Sequence, residues 1–270
     1  MAQFERKQVC VLVKAQPQPS QRYEETVCVA AVTLDHRLVR LYPVRFRHLP
    51  ESQRFARFDW LDVDITRAHE DPRPESFKLK EDSIVVRRKA EKSTPEENAR
   101  LWLPTVSPSI AALEDLQQRI GRSLGIIRPD PESVRFKFQP IAKAAAEDQE
   151  TMQMVYQQAS LLEPALKRLP QPEYVFRYEF VCDGKEHEMQ LHDWEVQATF
   201  HSYRRTYGTE ARALEMMTDF YQEKAPARNL HLIMGTMQKR PYQFICIGVL
   251  RTTADLGHVA DQGTLFGEGE

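Results

Sequence analysis

The sequence predicts an α+β protein: a β-rich N-terminal region forming a small barrel or curled sheet, a helical middle, and a C-terminal antiparallel sheet with helices on one face. Three observations carry this. Residues 7–90 hold short runs rich in β-branched side chains, separated by prolines. Capping signals at Thr94 and Ser107 then open a stretch of helical periodicity. Beyond it, the alternating run 174–182 leads into Asp183-Gly184, the dipeptide of a tight hairpin. At 270 residues and 41% hydrophobic, the chain can bury one large core or two ordinary ones without cross-links.

In the first region, 1–92, runs at 8–13 and 26–32 read as strands, and Asp35 and His36 turn the second into 37–41. Further strands are expected at 60–65, 76–80 and 84–88, with Pro43, Pro50, Pro72 and Pro74 in the loops. The segment 93–169 reads as helical. Thr94-Pro-Glu-Glu97 is a capping box with proline at the first helical position, and that helix stops before Pro104. After Ser107-Pro108, residues Ile110, Leu113, Leu116 and Ile120 share one face of a helix ending near Gly125. A third helix is expected over much of 142–169, followed by an extended linker at 169–173. The region 174–252 reads strand, strand, helix, helix, strand, strand. Its helices carry Val196, Phe200, Tyr203 and Tyr207, then Ala213, Met217 and Phe220; its last strands are 230–234 and 242–250. Residues 253–270 have too few large apolar side chains to offset ordering entropy and read as a disordered tail.

A net charge of −2 means that any phosphate binding must come from local clustering rather than from the whole surface. Apolar runs such as 245–250 are far too short to span a membrane, and no secretion signal is visible, so a cytoplasmic protein is expected. Cys10, Cys28, Cys182 and Cys246 read as reduced thiols. The Walker and dinucleotide patterns are absent, and the sequence names no cofactor. A zinc site at Cys182, His187 and His192 lacks a fourth ligand, so no metal is expected.

Three constellations point toward chemistry. In the tail, Gln262-Gly-Thr-Leu265-Phe266 resembles the peptide with which bacterial replication and repair proteins dock on the DNA sliding clamp. Gln262, Leu265 and Phe266 match its anchors, and Gly263 departs from the usual leucine. The resemblance implies a clamp partner, with the Leu265 and Phe266 pair filling a pocket. Between 37 and 57, Arg37, Arg40, Arg45, Arg47, Arg54 and Arg57 face a single acidic residue, Glu51, with Tyr42, Phe46 and Phe55 interleaved. That composition can track phosphates and stack bases; it can equally be core aromatics beside a solvated charged face. Third, His192, Asp193, Glu195 and His201 stand where a hairpin meets a helix. They read either as a polar wall for acid–base chemistry on a phosphodiester or as an Asp193 N-cap with Glu195 in the first turn.

The stretch 14–43, with Pro17, Tyr23, Cys28 and Arg40-Leu-Tyr-Pro43, and the later Asp193-Trp-Glu195, Gly235-Thr236, Pro241 and Ile247-Gly248, resemble an uncharacterised family of bacterial proteins; the resemblance transfers no activity. The reading that unites these features is a DNA-associated accessory or processing protein of replication, repair or phage defence. Its grip on DNA comes from Arg40, Arg45 and Arg47, and its tail recruits it to the clamp. The rivals are a nuclease or base-processing enzyme using the 192–201 residues, and a protein-interaction module without DNA contact.

Overall fold

The computed structural model describes residues 3–15, 18–20, 24–141 and 173–253. The barrel expected of the N-terminal region is closed. β1 (Glu5–Lys14), β3 (Glu24–Thr33), β4 (Leu38–Val44), β5 (Trp60–Arg67) and β6 (Ser76–Leu79) close in the order β1-β3-β4-β6-β5-β1. Outside this ring, β2 (Gln18–Ser20) pairs with β3 and β7 (Val85–Arg88) with β5. Closure depends on β1 serving two neighbours. Glu5 to Cys10 pair with β5, and Val9 to Lys14 pair with β3. Every pairing here is antiparallel except that of β4 with β6.

The barrel strands build two cores. Val9, Val11, Val27, Val29, Ala31 and Leu41 fill the barrel with Leu61, Val63 and Ile65. Cys10, Leu12, Ala30, Val32 and Leu38 alternate with them, point outward, and are as deeply buried. A bulge at Leu12 interrupts the register between Val11 and Val13, and Leu12 and Val13 both join the outer core. The continuous apolar run on β1 thus marks a strand covered on both faces.

The cover is a four-stranded sheet in the order β14-β13-β9-β8, made of β8 (Val106–Ser107), β9 (Leu124–Ile127), β13 (His231–Met237) and β14 (Arg240–Leu250). Its Leu124, Ile126, Ile233, Ile247 and Leu250 meet the barrel's outer face, with Ala99 and Trp102 of α1 (Pro95–Trp102) at the side. Gly248 lets β14 approach β1, because a Cβ there would stand 2.7 Å from Val13 Cγ2. α1 begins on the expected capping box: Glu97 N donates to Thr94 Oγ1 at 3.1 Å and Thr94 N to Glu97 Oε2 at 2.9 Å. The other sheet is antiparallel, β10 (Arg135–Pro140), β11 (Tyr174–Cys182) and β12 (Lys185–Gln190) in that order. Its hairpin turns at Asp183 and Gly184, with φ of 51° and 70°. α2 (Ile110–Ile120), α3 (Trp194–Tyr207) and α4 (Glu210–Thr218) share a third core with both sheets through Leu113, Phe176, Tyr178, Phe200 and Met217.

Three expectations change. α2 is capped by Ser109, whose Oγ accepts from Ala112 N at 3.0 Å, rather than by Ser107, which belongs to β8. α2 stops at Gly121, with φ of 74°, rather than near Gly125. Gly125 belongs to β9, where a Cβ would collide with the Leu113 side chain. The middle segment also supplies β8, β9 and β10, so the single expected C-terminal sheet is two, joined where Leu191 bridges Cys246. The helix expected over 142–169, all of the linker except Glu173, and the tail from 254 onward lie outside the described residues.

Trp102 meets His231 edge to face, ring centroids 4.8 Å apart, and His231 Nδ1 donates to Asn229 O at 2.8 Å. Burial lowers the His231 imidazole from 6.5 to about 4. Between those values the unfolded chain binds the extra proton and the folded chain does not, so stability falls as pH drops through that window. The loss is roughly 3 kcal/mol at most. Replacing His231 by Phe keeps the ring contact and should flatten this acid limb in urea denaturation; an equally steep decline in the variant would refute the assignment.

Candidate functional site

The residues singled out at 192–195 stand where β12 hands over to α3. Asp193 caps that helix, its Oδ1 accepting from Glu195 N at 2.9 Å. Its Oδ2 accepts from Val249 N at 3.0 Å and from Arg57 Nη2 at 2.9 Å. Arg57 Nη2 also lies 3.2 Å from Glu195 Oε2, while its Nη1 donates to the Val249 carbonyl. One guanidinium from the connection between β4 and β5 therefore ties together the start of α3 and the end of β14.

The turn at 56–59 aims Arg57. Buried Asp59 accepts from Ala56 N at 2.9 Å and from Ala90 N at 2.8 Å, and pairs with Lys89 at 3.1 Å. Phe58 adopts φ of 65°, an uncommon conformation for a bulky side chain, and its N–H donates to Val11 O at 2.7 Å. Beside this turn, Lys14 Nζ donates to Phe55 O at 3.0 Å and sits 4.2 Å over the Phe46 ring, with Trp194 at 5.8 Å.

Burial by itself would lower the Arg57 guanidinium, but Asp193 and Glu195 outweigh it and hold the group above its ordinary value. Burial pushes the Asp193 carboxyl up while Arg57 draws it down. Burial also lowers the Lys14 ammonium, against the pull of Glu195. Asp193 is 1% exposed and accepts three hydrogen bonds, so it has no open face toward a substrate. The arrangement is a latch. His192 N donates to Cys246 O at 2.9 Å, and half-buried His201 has Glu173, Arg204 and Arg205, not Asp193, as its charged neighbours. Among the described residues no group of three or more His, Cys, Asp or Glu is placed to hold a metal ion.

The arginines of 37–57 separate into two kinds. Arg40 is 2% exposed and lies in the joint between the halves. It donates to Ser76 Oγ at 3.1 Å, Ser123 Oγ at 2.7 Å and Ser123 O at 3.0 Å, and Glu75 accepts from Ser123 in turn. Neither Arg40 nor Arg57 can meet a phosphate while the halves stay together. Arg37, Arg45 and Arg54 are exposed and Arg47 half-buried. Arg37 pairs with Asp35 at 2.8 Å, Arg45 forks onto Glu81 at 2.7 and 3.0 Å, and Arg54 donates to Leu49 O at 3.1 Å and Arg47 O at 3.4 Å. Tyr42 is exposed, whereas Phe55 is barrel core. Gln262, Leu265 and Phe266 lie outside the described residues. Sequence reasoning missed Lys14 and Ser123. A cation closing an apolar strand was a signal for Lys14; Ser123 left none.

Removing one partner of a buried ion pair strands the other charge. Arg57→Ala should therefore destabilise the protein by about 3–5 kcal/mol. Arg57→Met combined with Asp193→Asn should recover much of that loss, since asparagine still caps the helix and no charge is stranded. Urea denaturation of the three proteins decides it; a single variant as stable as the parent would show that the latch is not under load.

A family model described as a domain of unknown function (DUF8758) matches residues 5–104, and another, also a domain of unknown function (DUF8757), matches residues 106–268. The junction falls between α1 and β8, where the barrel unit gives way to the two C-terminal sheets. No curated protein matches the chain. Since the second match spans more than half of the sequence, the chain belongs to the DUF8757 family, with the DUF8758 match ahead of it.

Proposed function

We propose that this chain is a DNA-associated accessory protein of replication, repair or defence, whose barrel rim contacts the phosphate backbone and whose tail docks on the sliding clamp. The observation that carries the reading is the rim itself. Arg45, Arg47 and Arg54 come from the single connection between β4 and β5, with Tyr42 exposed beside it. Arg54 holds the carbonyl of Arg47, which keeps the two close. The Arg45 side chain is 48% exposed in its pair with Glu81, so a phosphate can approach the guanidinium from the solvent side while Glu81, held also by Arg45 N at 2.6 Å, keeps the residue at the rim.

Strand order supports the reading by analogy of fold. The five ring strands, taken in chain order, neighbour one another as first, second, third, fifth and fourth, with third and fifth parallel. OB-type barrels share this arrangement, and many bind single-stranded nucleic acid. Fold alone confers no activity. The usual OB ligand face, the outside of the second and third strands, is covered here by the four-stranded sheet. The contact accordingly falls to the rim, without Arg40.

Alanine at Arg45, Arg47 and Arg54 together should weaken single-stranded DNA binding and flatten its salt dependence by roughly 2 in the log–log slope, about 0.7 for each phosphate that is no longer neutralised. An unchanged slope in a folded protein would overturn the rim contact. The peptide 260–270 should bind a bacterial sliding clamp in the micromolar range, and alanine at Leu265 and Phe266 should abolish that binding without moving the melting temperature of the whole protein. Clamp binding that survives the double substitution would remove the recruitment arm.

A further inference from the structure

A cleft of about 240 Å³ opens between the two halves, lined by Phe58, Ser93, Asn98 and Trp102 on one side and by Arg228 and Arg251 on the other. Three buried polar atoms of this wall have no hydrogen-bond partner among the described residues: Ser93 Oγ, Asn98 Oδ1 and Trp102 Nε1. Trp102 is 0% exposed, so its indole N–H is a fully desolvated donor. Buried polar groups are ordinarily satisfied, and three open ones around a single cleft point to a ligand that completes them.

The charge of the cleft indicates which ligand. No aspartate or glutamate lines it. Neither Arg228 nor Arg251 forms a salt bridge with a carboxylate among the described residues, Glu195 acting on Arg251 only from beyond pairing distance, and Arg251 is held 4.2 Å over the Phe220 ring. Thr252 N donates to Arg228 O at 2.8 Å and Asn229 Nδ2 to Thr252 O at 3.3 Å, which fixes the backbones carrying the two guanidiniums beside each other. Two cations, an indole N–H and a hydroxyl suit an oxyanion. Asn98 Oδ1 is an acceptor and requires a hydroxyl or amino group on the same ligand.

We propose that this cleft binds a phosphomonoester. Its phosphate oxygens take Arg228, Arg251, Trp102 Nε1 and Ser93 Oγ, and a hydroxyl of its body donates to Asn98 Oδ1. The volume is small beside the roughly 300–1,000 Å³ of sites for drug-sized ligands, and admits a phosphate with one sugar-sized body. Such a group occurs on a free sugar phosphate and on the 5′ end of a DNA strand. The inference stands apart from the rim contact, which involves none of these residues.

The test titrates the full-length protein with ribose 5-phosphate, with ribose, and with an oligonucleotide bearing either a 5′-phosphate or a 5′-hydroxyl. Thermal melting and tryptophan fluorescence provide the readouts. Ribose 5-phosphate should raise the melting temperature where ribose does not. A preference for the 5′-phosphorylated strand over its hydroxyl counterpart would assign the strand end as the source; its absence alongside ribose 5-phosphate binding would assign the free ester. Trp102→Phe keeps the ring and removes the donor, and should weaken binding about tenfold, as loss of a hydrogen bond to a charged group does. Arg228→Gln and Arg251→Gln, at exposed positions, should weaken it at least as much and serve as the deciding variants if the Trp102 protein does not fold. The proposal falls if neither phosphorylated probe is preferred over its unphosphorylated partner, leaving water as the occupant, or if both arginine variants bind as the parent does.

Discussion

The barrel has an apolar outside, and the rest of the molecule is arranged around that constraint. Leu12, Val13, Ala30, Val32 and Leu38 leave the barrel surface in the direction of the C-terminal sheet and are buried there. Each large side chain of this kind stabilises the packed form by about 1.5–3 kcal/mol when fully covered. Hydrophobic contact has no direction, however, and would permit the sheets to slide. Direction comes from two guanidiniums, Arg40 buried and Arg57 largely so. Arg40 reaches from β4 to Ser123, and Arg57 reaches from the 56–59 turn to Asp193 and Val249. Arg73, paired with Asp71 at 2.6 Å, adds a third tie by donating to the Thr236 carbonyl from the connection between β5 and β6.

This use of arginine divides the molecule's functional surface. A single stretch of sequence, 37–57, contributes both the internal ties and the exposed rim: Arg40 on β4 and Arg57 at the end of the following connection turn into the joint, while Arg45, Arg47 and Arg54 lie between them on that connection. The two family matches that meet between 104 and 106 correspond to the two sides of the joint, and in this chain each side presents an apolar face that the other completes. The phosphomonoester cleft lies on the same joint. A ligand there would touch Ser93, Asn98 and Trp102 from one family and Arg228 and Arg251 from the other, which makes the joint a place where binding and the packing of the halves are linked.

Local rules made much of the fold legible. The Thr94 capping box, the Asp183-Gly184 hairpin, the turn at Asp35-His36 and the strands after Pro50 and Pro74 each depend on side chains a few positions apart, and sequence reading recovers such patterns. The short strands β8 and β9 were hidden, since β9 is a brief apolar run that periodicity cannot separate from a helix end, and Gly125 looked like a helix stop. The candidate site was legible only by residue type. Asp193 as an N-cap follows from the following helix, but its partners Arg57 and Val249 are 136 and 56 positions away. Alternation on β4 did not announce that Arg40 faces inward to the joint, because an arginine at a strand position reads as solvated until the covering sheet is known. The cleft was invisible for the same reason: its donors come from 93–102 and its cations from 228–251, more than a hundred positions apart.

The most direct test of the account is amide hydrogen exchange on the full-length protein with and without single-stranded DNA. New protection is expected only at 44–57, with 24–41 and 123–127 equally slow in both states because the barrel's outer face stays closed under the sheet. Faster exchange at 123–127 on DNA binding, with protection appearing along 24–41, would mean that the halves part and that the covered face is the one that binds, contradicting the account.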